Sequence, residues 1–128
     1  MTENEISRQI VDAAFQIHTR LGPGLLESVY EVLMAHELRK RGLRVERQVP
    51  VRIAYDGIVF DEGFRADLIV DDLVIVELKS VERTAPVHGK QVLTYLRLTG
   101  KRLGMLVNFG EALIKHGIER VANGVPAD

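Results

Sequence analysis

The sequence predicts an α/β fold, a mixed central β-sheet flanked by α-helices, and three observations carry that prediction. Apolar residues recur at steps of three and four up to Gly42 and again over residues 86–98, which is helical periodicity. From Leu43 the period shortens to two, with an Asp56-Gly57 turn inside the alternating stretch. Two later runs, Phe64–Val70 and Leu73–Leu78, are so continuously apolar that both faces of their strands must be covered.

The first helix is expected to begin near Thr2 or Asn4, because Thr2 and Glu5 have capping-box spacing. It carries Ile6, Ile10, Ala14, Ile17 and Leu21 as its apolar stripe and stops at Gly22-Pro23-Gly24. A second helix follows, with Leu26, Val29, Tyr30, Leu33 and Met34 expected to face the core. Arg39, Lys40 and Arg41 suit its C-terminal dipole before Gly42. Val45, Val49, Val51 and Ile53 then alternate with polar residues as a strand. Pro86–Leu98 reads as a third helix through Val87, Leu93, Leu96 and Leu98, with Gly89 weakening its first turn. Leu103–Phe109 returns to strand, and Leu113–Val121 reads as a further edge strand in preference to a short helix.

At 128 residues the chain is expected to be one domain, residues 1–128, able to bury a core without outside support. It is 46% hydrophobic and 27% charged, an ordinary globular balance that argues against a disordered tail. No apolar run approaches the roughly 18 to 20 residues that cross a bilayer, and the N-terminus does not read as a secretory signal. A cytoplasmic protein without membrane contact is therefore the expectation. With no cysteine, thiolate-zinc, iron–sulfur, disulfide and cysteine-nucleophile chemistry are excluded. The net charge is −1, so no bulk positive field advertises nucleic-acid binding. The charges are nevertheless segregated. Residues 37–52 hold six basic and two acidic side chains, 56–77 hold seven acidic and one basic, and 79–102 hold six basic and one acidic. Such a pattern is either solvated surface or an acidic centre with phosphate-attracting walls.

The acidic centre is where chemistry is to be sought. Asp67 interrupts one apolar strand, and Glu77 and Lys79 interrupt the next. Buried unpaired, each would cost several kcal/mol. Glu77 and Lys79, two apart, share a strand face. One reading pairs the acids with Lys79 or Arg65 as structural salt bridges. The other gives two carboxylates a divalent cation, with magnesium suited to oxygen ligands, while Lys79 orients a water or stabilises charge on a phosphoryl group.

Asp67, nine residues, then Glu77-x-Lys79 on adjacent strands resembles the PD-(D/E)xK nuclease-like superfamily. More closely, the chain resembles its GxxExxY family, whose naming motif appears as Gly24-Leu25-Leu26-Glu27-Ser28-Val29-Tyr30. The resemblance spans about Ile10 to Val121, with Ala66 standing where the superfamily pattern has proline. It implies a restriction-endonuclease-like core and hydrolysis of nucleic-acid phosphodiesters using Mg2+ or Mn2+. Asp67, Glu77 and Lys79 would be the catalytic set. Asp67, Glu77, Glu27 and the carbonyl of Leu78 would hold the metal. Gly24, Glu27 and Tyr30 fall on one side of the second helix by spacing, and Gly24 would permit close backbone approach. Gln91 and Tyr95, with His88 three residues earlier, make a polar stripe on the third helix that resembles the QxxxY motif of related exonucleases. That motif implies a role beside the active site, holding substrate or supporting the lysine. Each of these residues also has a plainer reading, as solvated surface for Glu27 or as helix packing for Tyr95.

The implied partner is nucleic acid, with DNA put ahead of RNA although no residue decides between them. Two competing readings stand beside it: a non-catalytic nucleic-acid-binding or protein-interaction module on the same fold, and a nuclease completed by a homo-oligomer or a protein partner. Register supplies a geometric condition. A two-residue turn at Asp71-Asp72 would pair Val70 with Leu73 and place Asp67 and Glu77 on opposite faces. A three-residue connection, Asp71-Asp72-Leu73, would pair Val70 with Val74 and set Asp67 opposite Glu77. The metal-site reading requires the second.

Overall fold

A computed structural model of the chain describes residues 1–127. Helix α1 spans Glu3–Leu21, and its N-cap Thr2 makes the expected capping box, with its side chain accepting from the Glu5 N–H while the Glu5 carboxylate accepts from the Thr2 N–H. Helix α2 spans Glu27–Lys40, followed by β1 (Val45–Tyr55), β2 (Ile58–Val70), β3 (Val74–Lys79), α3 (Pro86–Thr99), β4 (Leu103–Asn108) and β5 (Ile118–Ala122). The strand expected over Leu113–Val121 is confined to β5, because a 3₁₀ turn occupies Ile114–His116.

The sheet order is β1-β2-β3-β4-β5. Neighbours are antiparallel except β3 and β4, which run parallel because α3 carries the chain back between them. Alternation along β3 sends Val74, Val76 and Leu78 into a core with Ile6, Ile10 and Ile17 of α1 and Tyr30, Met34 and Leu38 of α2. Ile75 enters a smaller core on the opposite face, with Val92 and Leu96 of α3 and Leu106 of β4. Covering both faces explains why β3 and β4 read as unbroken apolar runs. Glu77 and Lys79, in phase with Ile75, fall on the α3 face.

Three helix faces depart from expectation. On α2 the buried apolar residues are Tyr30, Met34, Ala35 and Leu38, while Leu26 and Val29 are exposed. Apolar residues lie on both sides of this helix, so periodicity could not rank them. On α3 the core residue is Val92 beside Leu96, whereas Val87 and Leu98 are exposed. Leu21 is exposed at the C-terminal end of α1. The β1–β2 hairpin runs past its neighbours, with a register shift between Val51 and Ile53. Among the described residues no helix is long and apolar enough to cross a membrane.

Candidate active site

The connection from β2 to β3 is the three-residue one. Asp71 and Asp72 both take positive φ, 49° and 55°, inside a turn in which the Leu73 N–H donates to the Val70 carbonyl at 3.0 Å. Aspartate tolerates this region better than most residues. Leu73 is the extra residue, and pairing resumes as Val70↔Val74, Ile69↔Ile75 and Leu68↔Val76. One step further sets Asp67 opposite Glu77, where the Asp67 N–H donates to Glu77 Oε1 at 3.4 Å and the Leu78 N–H donates to Asp67 Oδ2 at 2.9 Å.

Glu77 is 7% exposed. Burial, and after it the Asp67 charge and a side-chain hydrogen bond with Asp67, push its pKa up to about 9; the Asp67 N–H and the Lys79 charge offset part of this. At neutral pH the protonated form of Glu77 is therefore favoured. The Tyr95 hydroxyl is pushed up as well, by its own burial, then by Glu77 and Asp67, against a hydrogen bond with Gln91. Tyr95 thus lies within electrostatic reach of the acids, with Gln91 joined to its hydroxyl, and the Tyr95 ring stacks on Phe64 at 3.8 Å. His88 does something else: its Nδ1 accepts from the Ala85 N–H at 3.0 Å and caps the start of α3.

The strand end bearing Lys79 is fastened on three sides. The Lys79 carbonyl accepts from the Phe109 N–H at 2.8 Å, and the Ser80 hydroxyl donates to the Leu25 carbonyl at 2.6 Å. Asn108, fully buried, accepts from the Val81 and Gly110 N–H groups through Oδ1 and donates to the Val81 carbonyl through Nδ2. A Cβ at Gly110 would collide with the Val81 backbone, so only glycine fits there. Tyr30 closes the circuit. Its ring stacks on Phe109 at 4.3 Å, and its hydroxyl donates to the Gly22 carbonyl and accepts from the Leu25 N–H. The tyrosine of the Gly24-x-x-Glu27-x-x-Tyr30 motif is thus a buried anchor for the loop before α2. Gly24 lies outside that helix at φ 101°, and a Cβ there would meet nothing. Its requirement is conformational, and the expected close approach is absent.

Glu27 departs from expectation. It is the exposed first residue of α2, where its charge complements the helix dipole, and it lines a concavity with Ser28, Glu31, Gln48, Asp67 and Leu78. Among the described residues no three Asp, Glu or His side chains gather as a metal cage, so Glu27 does not complete a three-carboxylate cluster with Asp67 and Glu77. Glu31, one turn further on, is buried; its Oε2 accepts from Arg47 Nε at 3.1 Å and Nη2 at 2.9 Å, and its Oε1 accepts from Gln48 Nε2. Sequence reasoning missed Glu31, Gln48 and Asn108. Asn108 carried the signal that revealed Asp67, a polar residue inside an apolar strand, whereas Gln48 sat unremarked among the polar positions of an alternating one.

The carboxylates of Asp67, Glu27 and Glu31 that line the concavity with Leu78, and that of Glu77 beside Asp67, are oxygen donors of the kind that hard divalent cations take. A buried carboxylate pressed against a second one is also the arrangement that such a cation relieves. The residues present fit a divalent metal.

A family model described as the PD-(D/E)XK nuclease superfamily matches residues 4–121, and the chain belongs to that superfamily. Its members typically use divalent metals. Among solved structures, the crystal structure of SSO0001 is similar at 20% sequence identity with a TM-score of 0.53. The match covers 80% of this chain and 52% of that one, so this chain spans about half the length of that neighbour. The fold is α/β and restriction-endonuclease-like. No curated protein matches the chain.

Proposed function

We propose that the protein is a metal-dependent nuclease of the GxxExxY type that hydrolyses nucleic-acid phosphodiester bonds, DNA in the first instance, with Mg2+ or Mn2+. The observation that carries this reading is the β2–β3 register, which sets Asp67 against Glu77 on one face with Lys79 two residues beyond. Asp67, Glu77 and the Leu78 carbonyl would hold the metal, with Glu27 or Glu31 contributing from α2. The metal, when bound, supplies Lewis-acid polarisation of the phosphoryl group and a more acidic water. Lys79, its backbone fixed through Phe109 and the next residues fixed through Leu25 and Asn108, orients the attacking water and stabilises negative charge on the phosphoryl oxygens. Tyr95 and Gln91 flank the acids from α3 and support substrate or lysine.

A second reading, binding without cleavage, draws on the lack of a three-carboxylate cluster among the described residues. One experiment separates the two. Labelled single- and double-stranded DNA and RNA are incubated with the protein and Mg2+, Mn2+ or chelator, with Asp67→Ala as control. Cleavage that needs the metal and Asp67 is the expected result; retention of labelled strands without cleavage in any metal supports the second reading.

A further inference from the structure

Within strand β1, Gln48 takes φ 51° in the left-handed region, just before the regular alternation of Val49, Val51 and Ile53 begins. A non-glycine residue is held there only when its surroundings demand it. The pairs on either side, Arg47↔Leu68 and Val49↔Ala66, set Gln48 across from Asp67. Its Nε2 donates to Glu31 Oε1 and, at 3.4 Å, to Asp67 Oδ1. One amide nitrogen therefore joins two carboxylates that arrive from different elements, α2 and β2. Neither acid is exhausted by the arrangement. A carboxylate offers about four lone-pair sites, and Glu31 spends Oε2 on Arg47 while Asp67 spends Oδ2 on the Leu78 N–H. A glycine at this position would meet the same backbone conformation without cost, so the chain carries a strained side chain where that side chain is used.

We propose that Gln48 is a positioning residue of the candidate metal site, its amide holding Glu31 and Asp67 at one concavity so that a divalent cation meets them already gathered. The inference rests on the reading of Asp67 and Glu77 as a metal site. Two like charges left facing each other without the donor move apart, and the cation must then bear the cost of bringing them together. Glu31 accordingly becomes the α2 carboxylate coupled to Asp67, in the place that the family resemblance had given to Glu27.

The test is Mn2+ titration by calorimetry and melting with and without Mn2+, on the full chain and on Gln48→Gly, Gln48→Ala and Gln48→Asn. Gln48→Gly removes the amide and relieves the backbone, so its metal-free melting temperature should equal or exceed that of the wild type. Its Mn2+ affinity should nonetheless fall by about tenfold, with a smaller metal-induced rise in melting temperature. Asn tolerates the same φ and returns an amide one methylene shorter, so it should recover part of the loss. Wild-type affinity in Gln48→Gly, or a lowered melting temperature in Gln48→Gly and Gln48→Ala with unchanged affinity, overturns the inference while leaving the metal site in place. Failure of the wild type to bind Mn2+, or equal binding by Asp67→Ala, overturns the metal-site reading and this inference with it.

Discussion

The raised pKa of Glu77 makes metal-free stability depend on pH in a direction opposite to that of most carboxylates. Its pKa moves from an ordinary 4.5 to about 9, chiefly through burial and then through Asp67. A carboxyl whose folded pKa lies above its unfolded one binds its proton more tightly in the native state. Its contribution is whole below about pH 4.5 and is lost progressively as the pH rises through 9. One differentially bound proton corresponds to about 1.4 kcal/mol per pH unit. Between pH 5.5 and 8.5 the wild type should therefore lose on the order of 4 kcal/mol of unfolding free energy that a Glu77→Gln variant keeps. Urea denaturation in chelator at three pH values, for both proteins, measures this difference. Divalent metal should reverse the trend, because binding discharges the Glu77 proton and so gains strength with pH. Parallel pH profiles for wild type and Glu77→Gln would refute the reasoning, since the acid would then titrate in the native state much as it does in the unfolded chain.

Other outcomes follow from the same geometry. Asn108→Ala strips three hydrogen bonds from the Val81–Gly110 crossing in a fully buried place and should cost roughly 2 to 4 kcal/mol, read by chemical denaturation. Tyr30→Phe keeps the stack on Phe109 but leaves the Gly22 carbonyl and Leu25 N–H without their partner; a loss of about 1 to 2 kcal/mol is expected, with faster amide exchange at Leu25. Tyr95→Phe retains the ring on Phe64 and loses the hydroxyl beside the acids, so cleavage should fall by more than stability does, as paired rate and denaturation measurements would show.

Residues that contradict their surroundings were the ones legible in the sequence. Asp67, Glu77 and Lys79 stood out because charge inside a covered apolar strand needs an explanation, and the demand that the two acids share a face selected the turn that is observed. The capping box at Thr2 was equally plain, being a local rule that tertiary packing did not override. Legibility failed where several faces look alike. Leu26 and Val29 are as apolar as Tyr30 and Met34, and only docking on the sheet decides which pair is buried. Glu27 and Glu31, four residues apart, are equivalent by spacing; the difference between them is made by Arg47 and Gln48, which arrive from β1. A positive φ at Gln48 has no local signature, because it follows from what the side chain reaches.

The shortness of the β2–β3 connection also bears on the order in which the site comes together. Closing a three-residue turn costs little chain entropy, so Asp67 and Glu77 can meet as soon as one hairpin forms. Glu31 joins them only after α2 has docked against β1, and Asn108 only after the chain has crossed through α3 to the parallel strand. The two acids thus face each other first in open water, where their repulsion is screened, and it is the later enclosure that raises the Glu77 pKa and favours its protonated form. Pulse-labelled hydrogen exchange should accordingly protect the amides of Leu68 and Val76, which face each other across β2 and β3, before those of Val81 and Gly110.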